Sequence, residues 1–139
     1  MTNEQYTVTS EQMKKRVINN KIRGMKLLTK KIRKQLPPLY SQDGKGGKSV
    51  VFVKFFTPSS SWTWYATEGE PVLDDLGNEI GFQFFGLVDG HEKELGYFSL
   101  SELESINGPM GLPVERDLWF KPKTLAEIAP EIFGQEDEL

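Results

Sequence analysis

Residues 50–68 read VVFVKFFTPSSSWTWYATE, and the spacing of apolar side chains in this stretch decides the fold class. Residues 50–56, VVFVKFF, are branched or aromatic everywhere except Lys54, a composition that suits a pleated, half-buried surface. Pro58 and the serines at 59–61 end that strand, because proline removes a ladder donor and serine favours turns. Residues 62–68 then alternate, with Trp62, Trp64 and Ala66 on one face and Thr63, Tyr65 and Thr67 on the other, which is the period of a strand. Trp62 and Trp64 are therefore expected in the core.

Working outward, a third strand is expected at residues 80–88 and a fourth at 92–98, joined by a tight Asp89-Gly90 turn of hairpin type. Residues 69–79 read as an acidic surface loop, and residues 118–120 as a fifth strand. Ser99 with Glu102 and Ser101 with Glu104 form overlapping capping boxes for a short helix that Gly108-Pro109 ends, and Thr124 with Glu127 forms another box. Upstream, Thr29 caps a helix over residues 30–36, whose Ile32 and Leu36 face one way before Pro37-Pro38 stops it. The segment SQDGKGGK at 41–48 is expected to be a mobile loop. Ser10 caps a further helix over residues 11–23 with Ile18, Ile22 and Met25 at helical spacing, interrupted at Gly24. These readings define an α+β fold: a four- or five-stranded, mainly antiparallel sheet with short helices on one side and a basic N-terminal helical extension. Residues 1–24 are the extension, 25–130 a single domain and 131–139 an acidic C-terminal tail.

The chain has 139 residues and a net charge of −3, and that small value conceals a polarised sequence. Residues 1–34 hold ten Lys and Arg against two acids, and residues 35–139 hold seven against eighteen. Such asymmetry is an argument about partners, since a basic arm attracts anionic surfaces. With no cysteine, disulfides, thiolate nucleophiles and thiolate-bound zinc are excluded. No apolar run approaches the roughly 20 residues of a membrane span, and the polar start MTNEQYTVTS lacks a secretory core. A cytoplasmic location and no membrane partner are expected.

Several groups carry potential chemistry. His91 is the single histidine, so a multi-histidine zinc site is excluded and a solvated turn position is its expected role. Glu68, Glu92, Glu94, Glu115 and Asp117 would supply an acid–base pair or metal cluster if the fold joined them. Spacing places only Glu92 and Glu94 on one strand face, where carboxylates commonly serve solubility. Arg116, between Glu115 and Asp117, suits a planar bidentate grip on carboxylate or phosphate, or an internal ion pair. GKGGK at 44–48 lacks the GxxxxGK spacing and the following helix of a phosphate loop. The aromatics Phe55, Phe56, Trp62, Trp64 and Tyr65 read more readily as core than as a base-stacking platform. The cations Lys14, Lys15, Arg16, Lys21, Arg23, Lys26, Lys30, Lys31, Arg33 and Lys34 form the candidate surface for nucleic acid or an acidic protein. No catalytic residue, metal or cofactor is assigned.

KLLTK at 26–30, LPPLYSQ at 36–42, VKFFTP at 53–58, WTWYATE at 62–68, FFGLV at 84–88, ELGYFSLSEL at 94–103 and GLPVERDLWF at 111–120 succeed one another in an order that resembles an uncharacterised bacterial family. That family is one of the domains of unknown function in small proteins of plasmids, phages and conjugative elements. The resemblance implies a mobile-element, cytoplasmic context, and leaves residues 1–24 as an extension, with Met25 as an alternative start. It implies no established activity. The favoured function is an interaction protein that binds a host or element-encoded protein or nucleoprotein complex, in counter-defence or regulation. The alternatives are a carboxylate-based, metal-assisted enzyme acting on a phosphate-containing substrate, and non-specific nucleic-acid binding through the basic arm. Three or more converging carboxylates would favour the enzyme, and an exposed patch would favour binding.

Binding of nucleic acid by the arm should be non-specific and should weaken steeply with salt. Removing residues 1–24 takes away five of the ten cations, so the slope of log affinity against log salt should shrink by about 0.9 for each duplex phosphate that is no longer neutralised. An unchanged slope in the shortened chain would place the nucleic-acid surface on the body.

Overall fold

A computed structural model describes residues 26–107 and 109–134. The expected helix over 11–23 and the tail from 135 onward lie outside the described residues. Helix α1, Lys30–Gln35, begins at Thr29, whose Oγ1 accepts from the Ile32 N–H at 3.2 Å. Leu36, expected inside the helix, is its extended C-cap, because the residue before a proline is pushed out of the helical region.

Five strands come next: β1 Val50–Val51, β2 Val53–Phe56, β3 Thr63–Leu73, β4 Glu79–Asp89 and β5 Lys93–Ser99. Helix α2, Leu100–Ser105, precedes β6, Glu115–Arg116, and β7, Lys123–Thr124, and helices α3, Leu125–Ile128, and α4, Pro130–Phe133, close the described chain. The main sheet has the order β5-β4-β3-β2-β6 with every pairing antiparallel, while β1 pairs antiparallel with β7 in a second, two-stranded sheet. The fold is α+β, with five strands in the principal sheet. Of the three expected capping boxes, Ser99 with Glu102 and Thr124 with Glu127 are present, whereas Ser101 lies inside helix α2 and does not cap it with Glu104.

Alternation puts a separate core on each face of the sheet. Val53, Phe55, Trp64, Ala66, Phe82, Phe84 and Phe98 pack with Leu36 and Leu103 on one face. Phe84 sits at its centre, with ring centroids of Phe55, Phe82 and Phe98 at 5.4, 5.0 and 5.3 Å. Val51, Leu87, Leu125, Ala126, Ala129 and Phe133 form the second core on the other face. Short helices therefore cover both faces, where the sequence suggested one. Trp64 is buried as expected, and Trp62 is half-buried at the margin, stacked on Trp64 at 5.9 Å and edge-on to His91 at 5.4 Å.

Several further differences centre on one irregularity. The β3–β4 register shifts between Ala66 and Glu68, so Thr67 is an extra residue of the bulge type that re-aims the strand beyond it. The expected single strand over 50–56 is split at Phe52, whose N–H donates to the Ala66 carbonyl before β1 turns away to β7. Beyond the bulge β3 continues to Leu73, so half of the expected acidic loop is strand, and the turn is confined to residues 74–78, where Asp74 Oδ1 accepts from the N–H groups of Leu76 and Asn78. Here β3 lacks β2 as a neighbour, and the LPPLYSQ segment covers its edge. The Gly69 N–H donates to the Pro37 carbonyl at 3.0 Å. Pro71 shares that outward direction two residues on, and having no N–H leaves no donor unpaired. Glu68 is buried and accepts from the N–H groups of Tyr40 at 2.7 Å and Gln42 at 3.2 Å, while Glu70 accepts from Leu39 N–H at 2.8 Å.

Gln42, also buried, accepts from Val50 N–H at 2.7 Å and donates to the carbonyls of Val50 at 2.9 Å and Thr67 at 2.8 Å. The expected mobile loop over 41–48 is accordingly anchored at two buried residues, Gln42 and Gly47, and is otherwise largely exposed: a Cβ on Gly47 would stand 2.7 Å from the Phe133 carbonyl oxygen. Residues 118–120 form a turn, and the fifth strand is β6. The β4–β5 hairpin pairs Asp89 with Lys93, so Gly90, His91 and Glu92 form its loop and Glu92 lies outside the strand that holds Glu94. Helix α2 stops at Ser105 with Ile106 as its cap, before the expected Gly108-Pro109 break.

Trp64→Ala should cost roughly 3–5 kcal/mol, the usual range for a buried aromatic cut to alanine. Equilibrium unfolding in urea checks this, and an unchanged midpoint would remove Trp64 from the core.

Candidate functional site

The residues that stand out for function surround the turn after β6. The Asp117 N–H donates to the Lys54 carbonyl at 2.9 Å, the Phe120 N–H donates to the Asp117 carbonyl at 3.3 Å, and Asp117 Oδ1 accepts from the Trp119 N–H at 2.9 Å. An aspartate opening a turn commonly bonds the backbone two residues on. The second carboxylate oxygen lies 3.7 Å from Lys54 Nζ. This bonding fixes a tip on which Trp119 is 90% exposed, with Leu118 also exposed.

A cavity lies on each side of the tip. The first, about 500 Å³, runs between α1 and the β2–β6 edge and is lined by residues including Lys31, Gln35, Phe52, Arg116, Phe120 and Lys121. The second, about 430 Å³, is lined by Lys54, Tyr65, Trp119, Lys121, Lys123 and Glu127 among others. Arg116 of β6 lines the first, and its Nη1, closed off from solvent, has no hydrogen-bond partner among the described residues. Burial pulls this guanidinium below its ordinary pKa, with no charged neighbour offsetting it. Lys123 Nζ lies 5.5 Å from the centre of the Phe120 ring, and Lys54 Nζ 5.9 Å from that of Tyr65, both within the range of cation–π attraction. Four cations of the acidic body, Lys54, Arg116, Lys121 and Lys123, thus line adjoining cavities and are joined by Lys31 from α1.

The other sequence candidates are dispersed. Lys26, Lys30, Lys31 and Lys34 are exposed on or beside α1, whereas Arg33 is taken by Glu79 through bonds of 3.0 and 2.6 Å and covers the Phe82 ring at 5.0 Å. Lys14, Lys15, Arg16, Lys21 and Arg23 lie outside the described residues. Glu68 is occupied as a clamp under the LPPLYSQ segment. Glu94 on β5 and Glu115 on β6 occupy opposite edges of the sheet. Among the described residues no group of three His, Asp or Glu could hold a metal ion.

Sequence reasoning passed over Trp119, Lys54, Lys121 and Lys123, treating Trp119 as part of a strand. The available signal was Asp117 two residues earlier, a turn former. It also missed Tyr40, which has a positive φ of 74° and packs edge-on against Tyr97 at 6.4 Å. The Tyr97 hydroxyl, hydrogen-bonded to that of Tyr40 and partly desolvated, is pushed up to about 12, so it stays protonated throughout the neutral range. Among the described residues no helix is long and apolar enough to cross a membrane.

The α1-to-α3 body and the Trp119 tip fall within residues 27–130, which match the model of a family described as "Protein of unknown function (DUF2958)", and the chain belongs to that family. No curated protein and no solved structure matches it.

Proposed function

We propose that this chain is a small cytoplasmic interaction protein of a mobile genetic element that binds a host or element-encoded protein or nucleoprotein complex through the Trp119 tip. One observation carries this reading: a tryptophan is held 90% exposed by a hydrogen-bonded turn. Leaving a large ring in water forgoes burial worth several kcal/mol, and tryptophan and arginine are the residues that dominate binding hot spots. The five cations around the tip favour an anionic surface on the partner. The carboxylates Glu92 and Glu94 lie at or beside the opposite β5 edge, giving the body a polarity suited to orienting it on that partner. The mobile-element setting, with counter-defence or regulation as the role, rests on the family resemblance. A carboxylate-based enzyme has weaker support, because Glu94 and Glu115 are held at opposite sheet edges and Glu68 is committed to backbone bonds.

Capture from the native host with the full chain and with Trp119→Ala tests the proposal. The variant should melt at the wild-type temperature and lose at least about tenfold in affinity for the captured partner, as for a central hot-spot residue. Equal capture by both chains would overturn the assignment of the tip.

A further inference from the structure

The larger cavity beside the tip has a property that macromolecular docking through Trp119 does not explain. Arg116 lines it, and one of its guanidinium nitrogens, Nη1, is closed off from solvent and unbonded among the described residues. Buried polar groups are normally satisfied, so a guanidinium with a desolvated, orphaned nitrogen is an under-compensated cation that gains from an anion beside it. No carboxylate of the described residues forms a salt bridge with Arg116; the adjacent Asp117 spends its oxygens on the Trp119 N–H and on Lys54. Lys31 and Lys121 line the same cavity, leaving a surplus of positive charge. A guanidinium presents a planar fork of donors that matches phosphate oxygens bidentately, and a phosphate monoester carries close to two negative charges.

We propose that this cavity binds a small phosphorylated molecule of the nucleotide class, with its phosphoryl group on Arg116 between Lys31 and Lys121. The walls fit the rest of such a ligand. Phe52 and Phe120 offer aromatic surface, and Thr29 and Gln35 offer hydrogen-bonding groups. A volume of about 500 Å³ falls within the range of small-molecule pockets, which combine apolar walls with a few placed polar groups. The site uses none of the exposed surface of Trp119, while Lys31, Arg116 and Lys121 also belong to the cationic surround of the docking reading, so Trp119→Ala is the variant that separates the two.

The test is titration of the full chain with AMP, ADP and inorganic phosphate, monitored by calorimetry and by melting temperature. AMP or ADP should bind and raise the melting temperature as mass action requires, with inorganic phosphate at least about tenfold weaker because it leaves the apolar walls unfilled. Arg116→Met should lose at least about tenfold in nucleotide affinity, yet melt no lower than wild type without ligand. Lys121→Ala, a change at an exposed side chain, should weaken binding while keeping the fold, and covers the case in which the first variant does not fold. Trp119→Ala should bind nucleotide normally. The proposal is overturned by absence of AMP and ADP binding at about 10 mM, by affinities unchanged in both cation variants, or by inorganic phosphate binding as tightly as AMP. Arg116-dependent binding of a single-stranded oligonucleotide without mononucleotide binding would overturn it in favour of a strand-tracking groove.

Discussion

A buried carboxylate organises this molecule. Glu68 comes directly after the extra residue Thr67 and is removed from water, a position that would be costly for a charge without partners. Two backbone N–H groups, from Tyr40 and Gln42, satisfy it, and hydrogen bonds to an ionised acceptor are about twice as strong as neutral ones. Glu70 and Gly69 add bonds to Leu39 and Pro37, so residues 37–42 cover β3 over residues 67–70, directly beyond the reach of β2, while Val72 and Leu73 stay exposed. An open strand edge is a template for unwanted pairing, and this irregular segment closes that part of it without itself being a strand. The Gln42 amide completes the junction by bonding both backbone groups of Val50 and the Thr67 carbonyl.

The position of the site is a consequence of that junction. Because β1 is held away from β3, Val50 and Val51 pair with Thr124 and Lys123 of β7. The chain leaving β6 at one edge of the main sheet must therefore return to β1, and the turn that starts this return carries Leu118 and Trp119 outward. Lys121 arrives on the returning segment and Lys123 on β7, beside Lys54 of β2 and Arg116 of β6. A body rich in carboxylates thereby acquires a cationic margin next to α1, and the charge division seen along the sequence is redistributed in space.

The strands at 63–68, 80–88 and 93–98 were legible because alternation and branched or aromatic composition are local properties. The capping boxes at Ser99 and Thr124 were legible for the same reason. Pairing partners were not. VVFVKFF reads as one strand in any register, and the break at Phe52 is imposed by a bulge in another strand. Glu68 was legible only as one of five carboxylates that could serve an acid–base pair or metal cluster, because its neighbours in sequence reveal nothing of the backbone donors of residues 40 and 42. In GKGGK, the small size of Gly47 serves close approach to Phe133, although glycine-rich composition suggests mobility. The Trp119 tip was hidden by the apolar run LWF, where the turn depends on the Asp117 side chain.

The most direct test of this account is a double-mutant cycle joining Glu68→Ala and Gln42→Ala in the full chain, measured by equilibrium unfolding. If the buried carboxylate and the Gln42 junction act as one bonded unit, the two losses should be coupled by about 1–3 kcal/mol. Losses that add to within about 0.5 kcal/mol would contradict it, and would make the LPPLYSQ segment a covering loop with no part in setting the path of β1.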